Sequence, residues 1–113
     1  MNPVVIAWVI LGASVISEVA GTVALRQSAG FTKLVPALLA GLFYVVAVWL
    51  MAIAMRQLEM GVTYAVWAAS GTVVTALVGI AIYNEQVSLQ KILGILLVLI
   101  GVLVLSIEKA QDP

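Results

Sequence analysis

The chain of 113 residues contains no cysteine and no histidine. The first absence excludes disulfide scaffolds and thiol nucleophiles, and the second removes the commonest acid–base and zinc-binding side chain. Five basic residues balance five acidic ones, so the chain offers no basic patch for nucleic acid. Because it also has no nucleophile–base pair and no set of metal ligands, we expect neither an enzyme nor a bound cofactor or metal.

Charged residues are scarce and apolar residues abound: 65% of the chain is hydrophobic and 9% is charged. A soluble domain usually contains about 45–50% apolar and about 25% charged residues. A chain this short could not bury so many apolar side chains in one aqueous core, because little of a small domain is interior. The composition therefore predicts a protein that lies in the lipid bilayer.

Four apolar runs of about 20 residues are separated by short polar connections. Each run is long enough to cross roughly 30 Å of hydrocarbon as an α-helix, and none alternates as the strands of a membrane barrel do. No Lys or Arg precedes Arg26, and the first run is too long for a cleaved signal peptide, so we expect it to remain as a span. The sequence predicts one all-α membrane domain, residues 1–113, with spans at about 3–25, 34–55, 61–83 and 89–107.

The basic residues that flank the spans give almost no orientation signal. With four spans, Arg56 and Lys109 lie on one side of the membrane, and Arg26, Lys33 and Lys91 lie on the other. Two interpretations follow. Details of the first helix fix one orientation, or the chain inserts both ways and forms an antiparallel homodimer of dual topology. We favour the second interpretation, because two basic residues against three is nearly no bias.

Glu18 is the one carboxylate within a span, about 6 Å from the bilayer centre at the helical rise. A charge there costs about 2.5–3.5 kcal/mol, so Glu18 is expected to face protein or a water-filled cavity. Ser14, Gly21 and Thr22 lie on the same helix face, which is small and polar, and Ser14 and Thr22 are predicted to join Glu18 in a proton and substrate site. Glu18 either stays neutral and bonds another helix, or binds protons and cations. We favour the second role, because a Gln would serve the first role without the cost of a carboxylate. We expect the site to be shared between two copies, because four helices are too few to enclose a pathway with gates on both sides.

Two aromatic residues and two small residues continue one face of the third span. Tyr64 and Trp67 are three residues apart, Ser70 and Gly71 follow them, and Tyr44 lies well inside the second span. Aromatic rings beside a carboxylate can surround an organic cation, at about 0.5–2 kcal/mol for each ring. Ordinary helix packing is the alternative.

Gly94 and Gly101 are seven residues apart in the fourth span and therefore share a face. Small residues let helices approach closely in lipid, where packing drives association. The pair predicts a dimerisation surface, with packing inside one protomer as the alternative.

Taken together, these segments resemble the small multidrug resistance family of bacterial inner-membrane transporters. The resemblance covers nearly the whole chain and rests on SEVAGT around Glu18, LRQSAGFTKLVP at 25–36, YAVWAASG at 64–71, and Gly94 with Gly101. It implies a four-helix protomer, an antiparallel homodimer, and proton-coupled export of organic cations through a site made by both copies of the membrane Glu.

The resemblance also implies roles for individual residues. Glu18 would be the proton and substrate site, Trp67 and Tyr64 would line it, and Tyr44 would join them. The segment EVAGT and Tyr44 resemble the quaternary-ammonium branch of the family, whereas the guanidinium exporters typically have a Trp shortly after the Glu. Residues 20–22 are Ala, Gly and Thr here. Hydrophobic, aromatic and quaternary ammonium cations are therefore the expected substrates.

The sequence departs from the family pattern at two places. The third helix has Ala69-Ser70-Gly71 where Gly-x-Gly is common, and we expect Ser70 to bend the helix by bonding the carbonyl four residues back. Ala47 stands where this branch often has Ser. Two other functions stay open: export of guanidinium or polyamines by the same fold, and a non-transporting membrane subunit that acts with a paired homologue.

Overall fold

The computed structural model describes the backbone of residues 2–111 and the side chains of residues 2–107. Lys109, which entered the charge count above, lies outside the described side chains. The four helices are α1 Pro3–Gln27, α2 Leu34–Ala54, α3 Met60–Tyr83 and α4 Leu89–Gln111. All four are long and apolar enough to cross a membrane, with the span of α4 at Leu89–Ile107. The prediction of an all-α membrane protein with four spans is confirmed.

The ends of α1 follow from local chemistry. Asn2 Oδ1 accepts a hydrogen bond from the Val4 amide at 2.8 Å, and Pro3 occupies the first helical position, where its missing N–H costs nothing. After Gln27 the chain reverses through residues 29–31, which all have positive φ angles. The Ser28 carbonyl closes this turn by accepting hydrogen bonds from the amides of residues 32 and 33. The connection is therefore a compact turn that returns the chain directly into α2.

The connection between α3 and α4 is equally short. Asn84, just after α3, adopts φ +56°, a left-handed conformation that Asn tolerates, and the Glu85 amide bonds the Gly79 carbonyl at 3.0 Å. Ser88 Oγ then accepts from the Lys91 amide at 3.1 Å and caps the start of α4. Both helical hairpins are closed by local hydrogen bonds.

The chain forms two compact units, one with α1 and α2 that ends at Glu59 and one with α3 and α4 that begins at Met60. In the first unit, α2 turns a row of alanines toward α1: Ala40, Ala47 and Ala54 are seven residues apart and at most 1% exposed. Small side chains at this spacing let the two helices approach closely. In the second unit the buried residues lie on α3, and none of the described side chains of α4 is buried.

Candidate functional site

Three predicted site residues meet in the first unit. Thr22 Oγ1 lies 3.2 Å from Glu18 Oε1 on the preceding turn of α1 and 2.8 Å from the Tyr44 hydroxyl on α2. Thr22 has one hydroxyl hydrogen, so it can donate to the carboxylate only while it accepts from Tyr44. Thr22 Oγ1 also lies 3.1 Å from the backbone carbonyl of Glu18. When Thr22 donates to either of these two Glu18 oxygens, the Tyr44 hydroxyl is the donor to Thr22.

The second carboxylate oxygen of Glu18 lacks such support. Glu18 Oε2 is buried and has no hydrogen-bond partner among the described residues. A buried oxygen without a partner is unfavourable, and a proton or a cation would supply what it lacks. No group of three or more acidic, His or Cys residues that could hold a metal ion occurs within the described chain.

Gly21 explains why the Tyr44 ring can lie so close to α1. A Cβ atom at residue 21 would stand 3.1 Å from Tyr44 Cδ1 and 3.2 Å from Phe43 Cβ. Both distances are tighter than ordinary van der Waals contacts between carbon atoms. Glycine therefore allows the ring to pack against the helix backbone, which places the Tyr44 hydroxyl within reach of Thr22.

Two serines fasten the same face of α1 to α2. Ser14 Oγ donates to the Ala47 carbonyl at 2.7 Å, and Ser17 Oγ donates to the Phe43 carbonyl at 2.8 Å. Ser14 is fully buried, so its hydroxyl lies in the contact between the helices. Its predicted part in binding stays a prediction, whereas its packing role is visible here. Ala47 is one of the two departures from the family pattern. It lies at this helix contact, where its carbonyl accepts the hydrogen bond from Ser14.

Ser17 was not predicted as a site residue from the sequence. The spacing was counted from Glu18, which leaves out the residue directly before it. Counted from its neighbours, Ser17 lies three positions after Ser14 and four before Gly21, and this spacing was the signal that could have found it. Its bond to α2 can be found only once the rotation of both helices is known.

The other predicted aromatic residues lie in the second unit. The rings of Tyr64 and Trp67 contact each other on α3, with centroids 5.6 Å apart and an angle of 38° between their planes. Their shared face agrees with the three-residue spacing. Tyr64 is 55% exposed, so a large part of its ring is open to a further contact. Their role in cation binding stays a prediction.

A hydroxyl next to the segment predicted to bend α3 bonds the helix backbone. Thr72 Oγ1 donates to the Ala68 carbonyl at 2.8 Å, four residues back, which is the type of bond expected of Ser70. The bend at Ser70 and Gly71 stays a prediction. Gly71 is buried, and α3 continues without interruption through Ser70 and Gly71.

Gly94 and Gly101 are exposed on α4, and a Cβ placed on either would meet open space within the described chain. Neither glycine is needed for a close contact inside the second unit. The face remains available to another helix, and its use in dimerisation stays a prediction.

Comparisons with known proteins identify the family. The sequence model of the Small Multidrug Resistance protein family matches residues 6–98. A guanidinium exporter of Yersinia pseudotuberculosis is 38% identical over 101 residues, 89% of this chain and 97% of the relative. The quaternary ammonium compound-resistance protein QacH of Staphylococcus saprophyticus is 36% identical over 93 residues, 82% of this chain and 87% of the relative. The multidrug transporter EmrE of Escherichia coli is 30% identical over 113 residues, 100% of this chain and 99% of the relative.

These matches extend over all four spans, and the carboxylate site lies within the matched region. The chain thus belongs to the small multidrug resistance family of multi-pass transporters in the bacterial inner membrane.

Proposed function

We propose that the protein is a proton-coupled antiporter that exports hydrophobic, aromatic and quaternary ammonium cations. Protons and cations compete for the Glu18 carboxylates of two antiparallel copies. The observation that carries the proposal is the buried, unpartnered Oε2 of Glu18 beside the Thr22–Tyr44 hydroxyl pair.

Competition follows from the chemistry of a carboxyl group. A cation binds the charged form, which the Thr22 hydroxyl supports by donating to Oε1. A proton on Oε2 removes that charge, and with it the attraction for the cation. Loading one ligand therefore expels the other, and a proton gradient can drive cation export.

An antiparallel homodimer would complete this arrangement. The site in one copy is formed by the α1–α2 contact, and a second copy would bring another Glu18 to a shared cavity. Two oppositely oriented copies reproduce the inverted repeats that larger transporters build within one chain. The weak charge bias and the open glycine face of α4 both support this assembly.

The expected substrates follow from the walls of the site. Residues 20–22 are small, and the Tyr44 ring packs over Gly21 and presents a flat apolar surface. Such a surface suits an aromatic or bulky cation, which gains from ring contacts. The compact guanidinium ion relies on several hydrogen-bond acceptors instead. Because the hydroxyls of Thr22 and Tyr44 already bond one another, they are poorly placed to accept hydrogen bonds from guanidinium.

Guanidinium export is the second candidate. It is favoured by the 38% identity to a guanidinium exporter, similar to the 36% identity to QacH. Overall similarity therefore does not separate the two substrate classes. A direct comparison of transport currents for guanidinium and for a bulky aromatic cation separates them.

The test is electrophysiology on the purified protein in liposomes with an imposed pH gradient. We expect currents for tetraphenylphosphonium that exceed those for guanidinium, and an apparent cation affinity that falls as the pH is lowered. Glu18→Gln should abolish the coupled current, while Glu59→Gln, a carboxylate in the exposed connection after α2, should preserve it.

Three results would contradict the proposal. Larger currents for guanidinium would favour the second candidate. Coupled transport by Glu18→Gln would remove Glu18 from the mechanism. The absence of any proton release when cations are added to the purified protein would favour a subunit that needs a paired homologue.

A further inference from the structure

An apolar groove lies between the first turns of α1 and the end of α2. It has a volume of about 300 Å³, at the lower end of the range for small-molecule sites. Ile10, the deepest of its α1 residues, precedes Glu18 by eight positions, or about 12 Å along the helix. The groove is therefore separate from the carboxylate site. Its apolar lining comes from Pro3, Ile6, Ala7 and Ile10 of α1 and from Ile53 of α2.

The rim of the groove is basic. Arg56 and Gln57 border it, and their amides bond the carbonyls of Ile53 and Ala54 at 3.1 Å each, which fixes the turn that carries both side chains. Arg56 is exposed and forms no ion pair within the described part of the chain. Its guanidinium is therefore available to an anion at the mouth of the groove.

The two helix ends at this mouth carry opposite partial charges. The N-terminal end of α1 contributes a partial positive charge and the C-terminal end of α2 a partial negative one, so the two largely offset each other. The Arg56 guanidinium is therefore the group that attracts an anion at the mouth of the groove.

The position of the groove relative to the membrane specifies an amphiphile. α1 begins at Pro3 and α2 ends at Ala54, so this end of the hairpin lies at the membrane surface. From Pro3 to Ile10 the groove descends about 10 Å, from the headgroup layer into the hydrocarbon. A phospholipid supplies an anionic phosphate at the upper level and an acyl chain at the lower one. A packed helix with an apolar surface would cover the lining but leave the guanidinium without an anionic partner.

We propose that this groove binds one anionic phospholipid per chain. The acyl chain lies along Ile6, Ile10 and Ile53, and the phosphate accepts hydrogen bonds from the Arg56 guanidinium. An Arg fork matches two phosphate oxygens at once. The preference for an anionic lipid comes from net charge, because a choline headgroup adds a positive charge beside the guanidinium whereas a glycerol headgroup does not. The bound lipid ties the start of α1 to the end of α2, at a distance from the transport site.

The experiment is native mass spectrometry of the full-length protein released from a neutral detergent. Phosphatidylglycerol and phosphatidylcholine with identical acyl chains are titrated separately. We expect the wild type to bind phosphatidylglycerol about fivefold more tightly, the factor that one basic residue contributes near an anionic surface. Arg56→Gln should remove this preference and Arg56→Lys should keep most of it, because the charge remains.

Matched variants separate the headgroup from the acyl chain. Ile10→Trp fills the groove and should weaken binding of both lipids, whereas Ile16→Trp, at a position 73% exposed on the same helix, should not. Lys33→Gln, a basic residue at the other end of the hairpin, should leave the preference unchanged. Arg56 is exposed, so we expect its variants to fold. They therefore test the proposal even if Ile10→Trp disturbs the packing of the groove.

Each of three outcomes would overturn the proposal. The first is equal binding of the two lipids by the wild type, or a preference retained in Arg56→Gln. The second is displacement of the lipid by glycerol phosphate alone as readily as by intact phosphatidylglycerol, since no acyl chain would then be held. The third is an altered oligomeric mass in Ile10→Trp with unchanged lipid binding, which would identify a second copy of the chain as the occupant.

Discussion

Replacing Thr22 with Val isolates the hydroxyl that links Glu18 to Tyr44. The two side chains have nearly the same shape, so the change removes the three hydrogen-bond contacts of the hydroxyl, with Glu18 Oε1, the Glu18 carbonyl and Tyr44, without opening a cavity. A hydrogen bond to a charged group contributes about 1.5–3 kcal/mol. The 3.2 Å separation from Oε1 is long for an O–H donor, which favours the lower value of about 1.5 kcal/mol. Because the cation binds the charged carboxylate, we expect its affinity to fall about tenfold at fixed pH.

The assay is isothermal titration of tetraphenylphosphonium into the purified protein at constant pH. Thr22→Ser restores the hydroxyl and should recover most of the affinity. Thr72→Val is the matched control. The Thr72 hydroxyl donates to the Ala68 carbonyl of its own helix, α3, and has no contact with Glu18 among the described hydrogen bonds. An affinity of Thr22→Val within twofold of the wild type would refute the reasoning, and so would an equal loss in Thr72→Val.

Three further changes test the packing around the site. Gly21→Ala should lower the free energy of unfolding by about 1–2 kcal/mol, because overpacking against α2 outweighs the gain in helix propensity. The free energy of unfolding is measured by urea titration, with the helical circular dichroism as the signal. Ser14→Ala and Ser17→Ala should each cost about 0.6 kcal/mol in the same titration, a typical value for one hydrogen bond between membrane helices. Trp67→Ala should weaken binding of aromatic cations by about 0.5–2 kcal/mol, the contribution of one ring, with little effect on unfolding.

Each of these changes has a control in the same chain. Gly12→Ala adds a methyl group in open space and should not destabilise the protein, so an equal loss there would contradict the packing argument for Gly21. If the double variant Ser14→Ala with Ser17→Ala were as stable as the wild type, the two hydrogen bonds would contribute nothing to the free energy of unfolding. Trp49→Ala, at a position 62% exposed, should bind cations normally, and an equal loss there would remove Trp67 from its predicted role.

The sequence alone determined the four membrane spans and indicated Glu18 as the candidate site. Span lengths follow from the transfer of each residue into hydrocarbon, which depends on composition over a window and not on distant contacts. A carboxylate in such a run is conspicuous because it is costly there. The spacing of Tyr64 and Trp67 also sufficed to predict that they share a face, on which their rings contact each other, since a shared face depends on the period of a single helix.

Only the tertiary structure decided which polar groups bond which. The helices are apolar on nearly every side, so the sequence pattern does not specify how each is rotated toward its neighbour. That rotation commits Ser14 and Ser17 to carbonyls of α2, makes Thr22 the bridge between Glu18 and Tyr44, and brings Arg56 to the mouth of an apolar groove. The contacts between α1 and α2 join residues more than twenty positions apart. They are created by the close packing of two helices, which no local property of the sequence encodes.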